Sequence, residues 1–135
     1  MNRQDLKRYK DNKESIKLKI EQIAEMKEQL FNISNPISDM PISRSSMRDK
    51  IAEKIAEWID LEDNYLDLAM KQKKKQIEIM EQLEKVKQPF RKILYRRYIL
   101  GERLVKIAND LGYEYGYLRK MNSKALTKFE EAEKK

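Results

Sequence analysis

The chain has 135 residues, 39% of them charged and 40% hydrophobic, with only three Gly and three Pro, a balance that favours long helices over a sheet-rich core. Cysteine and histidine are both absent, which removes disulfides, thiol nucleophiles, Ser-His-Asp chemistry and nearly every zinc site at once. The net charge of +7 is unevenly placed: residues 89–128 carry 10 basic and 3 acidic side chains, whereas residues 1–32 and 47–88 are close to neutral.

The N-terminal stretch "MNRQDLKRYKDNKES" lacks the apolar run of a signal peptide. No stretch approaches the ~20 apolar residues of a membrane span, so a cytoplasmic protein without a membrane partner is expected. Residues 3–31 predict one helix. Leu6, Tyr9, Lys13, Ile16, Ile20, Ile23, Lys27 and Leu30 recur at strict 3-4 spacing, a coiled-coil-like seam with lysines at two positions. Those ammonium groups would meet an acceptor on a partner helix or snorkel out to water. The seam can pair within the chain or between two chains as a homodimer. Burial in it makes Ile20 intolerant of a carboxylate.

"NISNPISDMPISRSS", residues 32–46, breaks the pattern with Pro36 and Pro41. Ser45 or Ser46 is the expected N-cap of the next helix, with Asp49 completing a short capping box. That second helix is expected over 47–87. Ile51, Ile55, Trp58, Tyr65 and Ala69 mark its first apolar face, widened by Leu61, Leu66 and Leu68; Ile77, Ile79, Met80, Leu83 and Val86 mark a second. Between them "KQKKKQ" (71–76) reads as an exposed bridge. Helix 1 is too short to cover all of helix 2, so it should fold back antiparallel on the first half.

Pro89 fits the first turn of a third helix, where its missing N–H costs nothing. Phe90, Ile93, Leu94, Tyr98 and Leu100 supply its apolar positions and Gly101 ends it. "RLVKIANDL" (103–111) then places Leu104, Ile107, Ala108 and Leu111 on one face, and Gly112 takes positive φ in a tight turn. Leu118, Met121, Ala125 and Phe129 recur at i, i+3, i+7 and i+11, an amphipathic helix over about 115–131. The alternating tyrosines at 113, 115 and 117 are therefore not a strand. Tyr113 packs inward in the turn, while Tyr115 and Tyr117 open a helix whose other face holds Arg119, Lys120, Ser123 and Lys124.

The segment "KIANDLGYEYGYLRKMNSKALTKF" resembles the helix-turn-helix of sigma-70 region 4, and "LRKMNSKALTKF" parallels that family's second helix. The wider chain resembles the region-4-like ArpU-type late-gene activators of Gram-positive phages and mobile elements. The shared elements are "DMPISRSSMRDKI" and "ILYRRYILGERLVKIANDLG". The resemblance implies a transcriptional regulator that binds double-stranded DNA and contacts RNA polymerase. Arg119 and Lys124 match basic DNA-contacting positions of the family. Tyr115, Gly116 and Lys120 stand at its main base-reading positions with unusual residues, and Glu114 replaces the usual Ser/Thr cap.

The resulting expectation is an all-α chain. Residues 1–88 form an N-terminal antiparallel helical hairpin with its linker at 32–46, and the long second helix leads into a helix-turn-helix domain at 89–135. Tyr115, Tyr117 and Lys120 are candidates for base readout, with Arg119, Ser123 and Lys124 beside them; Arg96, Arg97 and Arg103 are candidates for backbone phosphates. No catalytic residue, cofactor or metal is expected. The rival reading is an oligomeric DNA-packaging protein of the small-terminase kind, or a coiled-coil interaction protein whose basic face meets acidic protein.

Overall fold

The computed structural model describes residues 1–34 and 44–133, and every regular element among them is helical. α1 (Arg3–Ser34) and α2 (Arg44–Leu83) are the two long helices. A short α3 (Phe90–Leu94) continues into a π-helical turn over Tyr95–Ile99, followed by α4 (Leu104–Leu111) and α5 (Tyr115–Ala132). α2 begins ahead of Ser45 and Ser46, so neither caps it. Most of the expected linker, residues 35–43, lies outside the described residues. α2 also stops earlier than its periodicity suggests. The Lys85 and Val86 N–H groups bond to the carbonyls of Gln82 and Leu83 in a tight turn, and Val86 is buried.

The chain divides into two compact units whose boundaries fall inside both long helices. One comprises Met1–Lys13 and Lys71–Lys135, the other Glu14–Met70. The division expected at residue 88 lies within the first of these.

In the first unit, two apolar clusters form the core. The larger joins Leu6 and Tyr9 of α1, Ile79 and Leu83 of α2, Val86, Leu94, Tyr98, Ile99, and the α5 residues Ala125, Leu126, Phe129 and Ala132. The smaller joins Ile93, Ile107, Ala108, Leu118 and Met121, with Phe90, Leu104, Leu111 and Tyr113 at its edge. α5 supplies both, so its 3.6-residue stripe is buried along its whole length. The amide of Gln82, itself buried, donates to the carbonyls of Met1 (3.0 Å) and Phe129 (2.8 Å). Gln72 donates to the Tyr9 carbonyl at 2.9 Å. In this unit the start of α1 and the end of α2 therefore run in opposite directions. Helix 1 thus reaches beyond the first half of helix 2, and "KQKKKQ" is only partly bare: Gln72, Lys75 and Gln76 are half-buried. The seam lysine Lys13 finds an acceptor, donating to the Ile99 carbonyl at 2.6 Å.

In the second unit no described residue is buried. The half-covered positions of α1 are Ile16, Lys19, Ile23, Met26 and Leu30, and those of α2 include Ile51, Lys54, Trp58, Leu61, Tyr65 and Leu68, each a 3-4 series. The α1 seam is thus turned relative to the expected one. Lys19 and Met26 face inward in place of Ile20 and Lys27, and Ile20 is 47% exposed. The two sides of the unit differ in character. Ile20, Ile23, Glu62, Tyr65 and Leu66 line an open groove on one side, whereas Gln22, Glu25, Met26, Gln29 and Leu61 line a more polar one on the other.

Candidate nucleic-acid interface

Gly112 ends α4 at φ 76°, ψ 26°, a left-handed conformation that costs an L-residue roughly 1–2 kcal/mol. The N–H groups of Gly112 and Tyr113 both turn back onto the Ala108 carbonyl, satisfying the helix end. A β-carbon at Gly112 would meet nothing within 4 Å, so backbone angle alone selects glycine there. Two residues later α5 begins. Glu114 precedes it with extended backbone and makes no side-chain cap; its carboxylate stands 3.9 Å from where a Gly116 β-carbon would sit. That negative charge opposes an anion at the first turn of α5.

The face of α5 opposite the core carries most of the expected site. Tyr115 and Tyr117 are exposed, as are Arg119, Lys120, Ser123 and Lys124. Tyr113 is half-buried against the smaller cluster, and its ring lies 5.6 Å from that of Tyr117 at a 58° tilt. Arg119 sits 5.8 Å above the Tyr115 ring, and Lys124 sits 5.8 Å from the Phe90 ring. Five residues at ~100° each separate Arg119 from Lys124 by about 140° around the helix, so the two flank the exposed face rather than share a line. Gly116, Lys120, Lys124 and Lys128, spaced four apart, form a ridge that winds about 40° around the helix at each step.

The three arginines upstream fare differently. Arg96 is largely covered and committed: its Nε donates to Glu102 Oε2 at 2.5 Å and its Nη2 to Asp110. Two carboxylates locally neutralise this guanidinium, so Arg96 staples the π turn to α4 and is a poorer seat for a phosphate than the sequence suggests. Arg97 donates to the Glu102 carbonyl at 3.1 Å, and Arg103 stays exposed at the start of α4. Glu102 is the hub, also receiving Lys106 at 3.3 Å. The Arg96 hydrogen bond, opposed by partial burial and helped by Lys106, holds the Glu102 carboxyl below its usual range.

A depressed carboxyl pKa stabilises the fold above its unfolded value of about 4.3, and that contribution disappears as pH falls through the lower folded value. Glu102→Gln should therefore lower the thermal midpoint at pH 7 and shrink the further drop between pH 7 and pH 3. Equal acid sensitivity in both proteins would show that the Glu102 hub contributes nothing.

Sequence periodicity does not single out Lys85, Lys87 or Lys128. The turn after α2 brings the first two beside α5, which only the fold reveals. Compared with known proteins, the chain matches no family model, no curated protein and no solved structure. No helix among the described residues is long and apolar enough to cross a membrane.

Proposed function

We propose that the protein is a DNA-binding transcriptional regulator, encoded by a phage or mobile element, that reads promoter or operator DNA. In this reading α4, the Gly112 turn and α5 act as a helix-turn-helix of the sigma-70 region 4 kind. The remainder of α1 and α2 is an antiparallel hairpin that serves as its handle and as a pairing surface for a second copy. Contact with RNA polymerase belongs to the same proposal and rests on the resemblance.

The observation that carries it is the exposed, basic and aromatic face of a helix whose opposite face is locked into two cores. Lys120, Lys124, Arg119, Tyr115 and Tyr117 stand on rigid backbone, and a surface that reads base edges needs that rigidity. Charge supports the same partner. The unit Met1–Lys13 with Lys71–Lys135 holds 23 basic and 11 acidic side chains, while Glu14–Met70 holds 7 and 12. The partition, +12 against −5, is steeper than the total of +7 suggests. A polyanion is drawn to the first unit and repelled by the second.

Selection of bound fragments from a genomic DNA pool supplies the operator, and two variants then test the roles. Lys120→Ala should cost about 1–3 kcal/mol on the operator and little on random duplex, as expected for a contact to base edges. Lys124→Ala should weaken binding to every sequence alike and reduce the slope of log affinity against log salt by roughly one. Equal affinity of both variants and wild type, on both duplexes, would defeat the proposal. A ring-sized mass in solution would favour the packaging-protein reading instead.

A further inference from the structure

The turn between α2 and α3 and the second half of α5 form a cleft of about 370 Å³ that shares only Lys124 with the candidate DNA-reading set. Lys85, Lys87, Lys124 and Lys128 line it, over a floor made by Val86, Phe90 and Ala132, with Glu131 as the one carboxylate. Glu131 stands 3.8 Å from Lys128. Lys124 rests against the Phe90 ring, and neither Lys85 nor Lys87 has an ion-pair partner among the described residues. Four ammonium groups and one carboxylate converge on a space more than ten times the ~30 Å³ share of one water. Converging like charges on a folded surface call for a counter-anion.

We infer that this cleft seats backbone phosphates of the bound duplex, outside the groove that α5 reads; the inference rests on the DNA-binding proposal. The shape of the basic surface selects the anion. Lys124 belongs both to the cleft and to the row Lys120–Lys124–Lys128, whose members lie about 6 Å apart along the helix axis. A row of ammonium groups running out of a cleft matches a linear polyanion better than a compact one. The turn is anchored for this task. Val86 is buried in the larger core, and the Arg91 guanidinium donates to the Val86 carbonyl at 2.9 Å, so Lys85 and Lys87 are held on either side of a fixed point.

The test uses the full chain and a fluorescent random-sequence duplex, with affinity followed over a range of salt. Lys85→Gln/Lys87→Gln should bind every sequence more weakly and lower the magnitude of the salt slope by about two, one for each phosphate left without its lysine. Lys73→Gln/Lys74→Gln removes the same charge from exposed positions of α2 in the same unit and should leave the slope near wild type. All four lysines are exposed, so unchanged melting curves are expected and confirm that folding is not what is read. A wild-type slope in the Lys85/Lys87 variant overturns the inference. So does an equal fall in affinity in both double variants, since that would be net charge acting without a seat. Absence of any wild-type binding to DNA would instead strike the functional proposal, and the inference with it.

Discussion

Phe129→Ala is expected to destabilise the unit that holds the candidate interface by about 3–5 kcal/mol, the usual range for removing a fully buried aromatic side chain. At roughly 4–8 °C per kcal/mol for a unit of this size, the thermal midpoint should fall by at least ~12 °C. Phe129 has no exposed surface and lies in the cluster that joins α1, α2 and the π turn to α5. Its own carbonyl receives the buried Gln82 amide, so the backbone at this point is pinned and cannot easily close over a cavity. Loss of rigidity at Phe129 would loosen the helix that presents Lys120 and Lys124. Circular dichroism melts of the two proteins give the result directly. A destabilisation below about 1 kcal/mol would mean that the site collapses freely and the cluster is not one core. The same cluster has a consequence for fragments. A piece beginning at residue 88 lacks Leu6, Tyr9, Ile79, Leu83 and Val86, and so it lacks the wall against which Phe129 packs.

The i, i+3, i+7, i+11 series of Leu118, Met121, Ala125 and Phe129 is legible in the sequence because local spacing alone decides which side of a helix is buried, and all four are buried. The positive φ at Gly101 and Gly112 is legible for a similar reason, since a left-handed residue closing a helix leaves a local signature. What spacing does not carry is which partner a stripe meets. Leu6 and Tyr9 fit a heptad seam with their own helix, yet they pack beneath α5, more than a hundred residues away in sequence. The seam itself is displaced by one position, to Lys19 and Met26 from Ile20 and Lys27, because two adjacent apolar strips on α1 satisfy the same spacing and only packing chooses between them. The basic residues show the same limit. Exposure of Lys120 and Lys124 follows from the stripe opposite them. The capture of Arg96 by Glu102 and Asp110 depends on the fold of the Leu100–Arg103 turn, and the arrival of Lys85 and Lys87 beside α5 on the turn after α2.

On the proposal that the hairpin pairs two copies, Ile20→Asp and Leu66→Asp should each convert the dimer to a monomer while leaving the helicity of the chain almost unchanged. The expectation follows from the unit Glu14–Met70, which buries none of its described residues and keeps one apolar side. Ile20 and Leu66, the latter 55% exposed, line that side together, and the register of α2 continues it through Ile55, Ile59 and Met70, all exposed. Two helices of ~10 Å diameter over roughly 27 Å present a face of about 540 Å², of the same order as the ~800 Å² per partner of a stable complex. A second copy is the proposed occupant, since the groove is mostly apolar with Glu62 as its one charged lining residue. Asp49, Glu53, Asp60 and Asp67 flank that side, about 100–140° from Leu66 around α2. An aspartate at position 20 or 66 would enter the interface twice in a two-fold pair, each without a partner, at several kcal/mol apiece. At 1.4 kcal/mol per tenfold, the dimer constant should weaken by more than ~100-fold. Salt separates this association from DNA binding. The Glu14–Met70 unit of each copy carries 7 basic and 12 acidic side chains, so two such units repel at long range and added salt should tighten the proposed dimer while it weakens the proposed DNA complex. Sedimentation equilibrium of wild type and both variants at two salt concentrations reads both effects. A wild-type monomer at every concentration, or variants of unchanged mass, would leave the apolar side without a second copy to cover it.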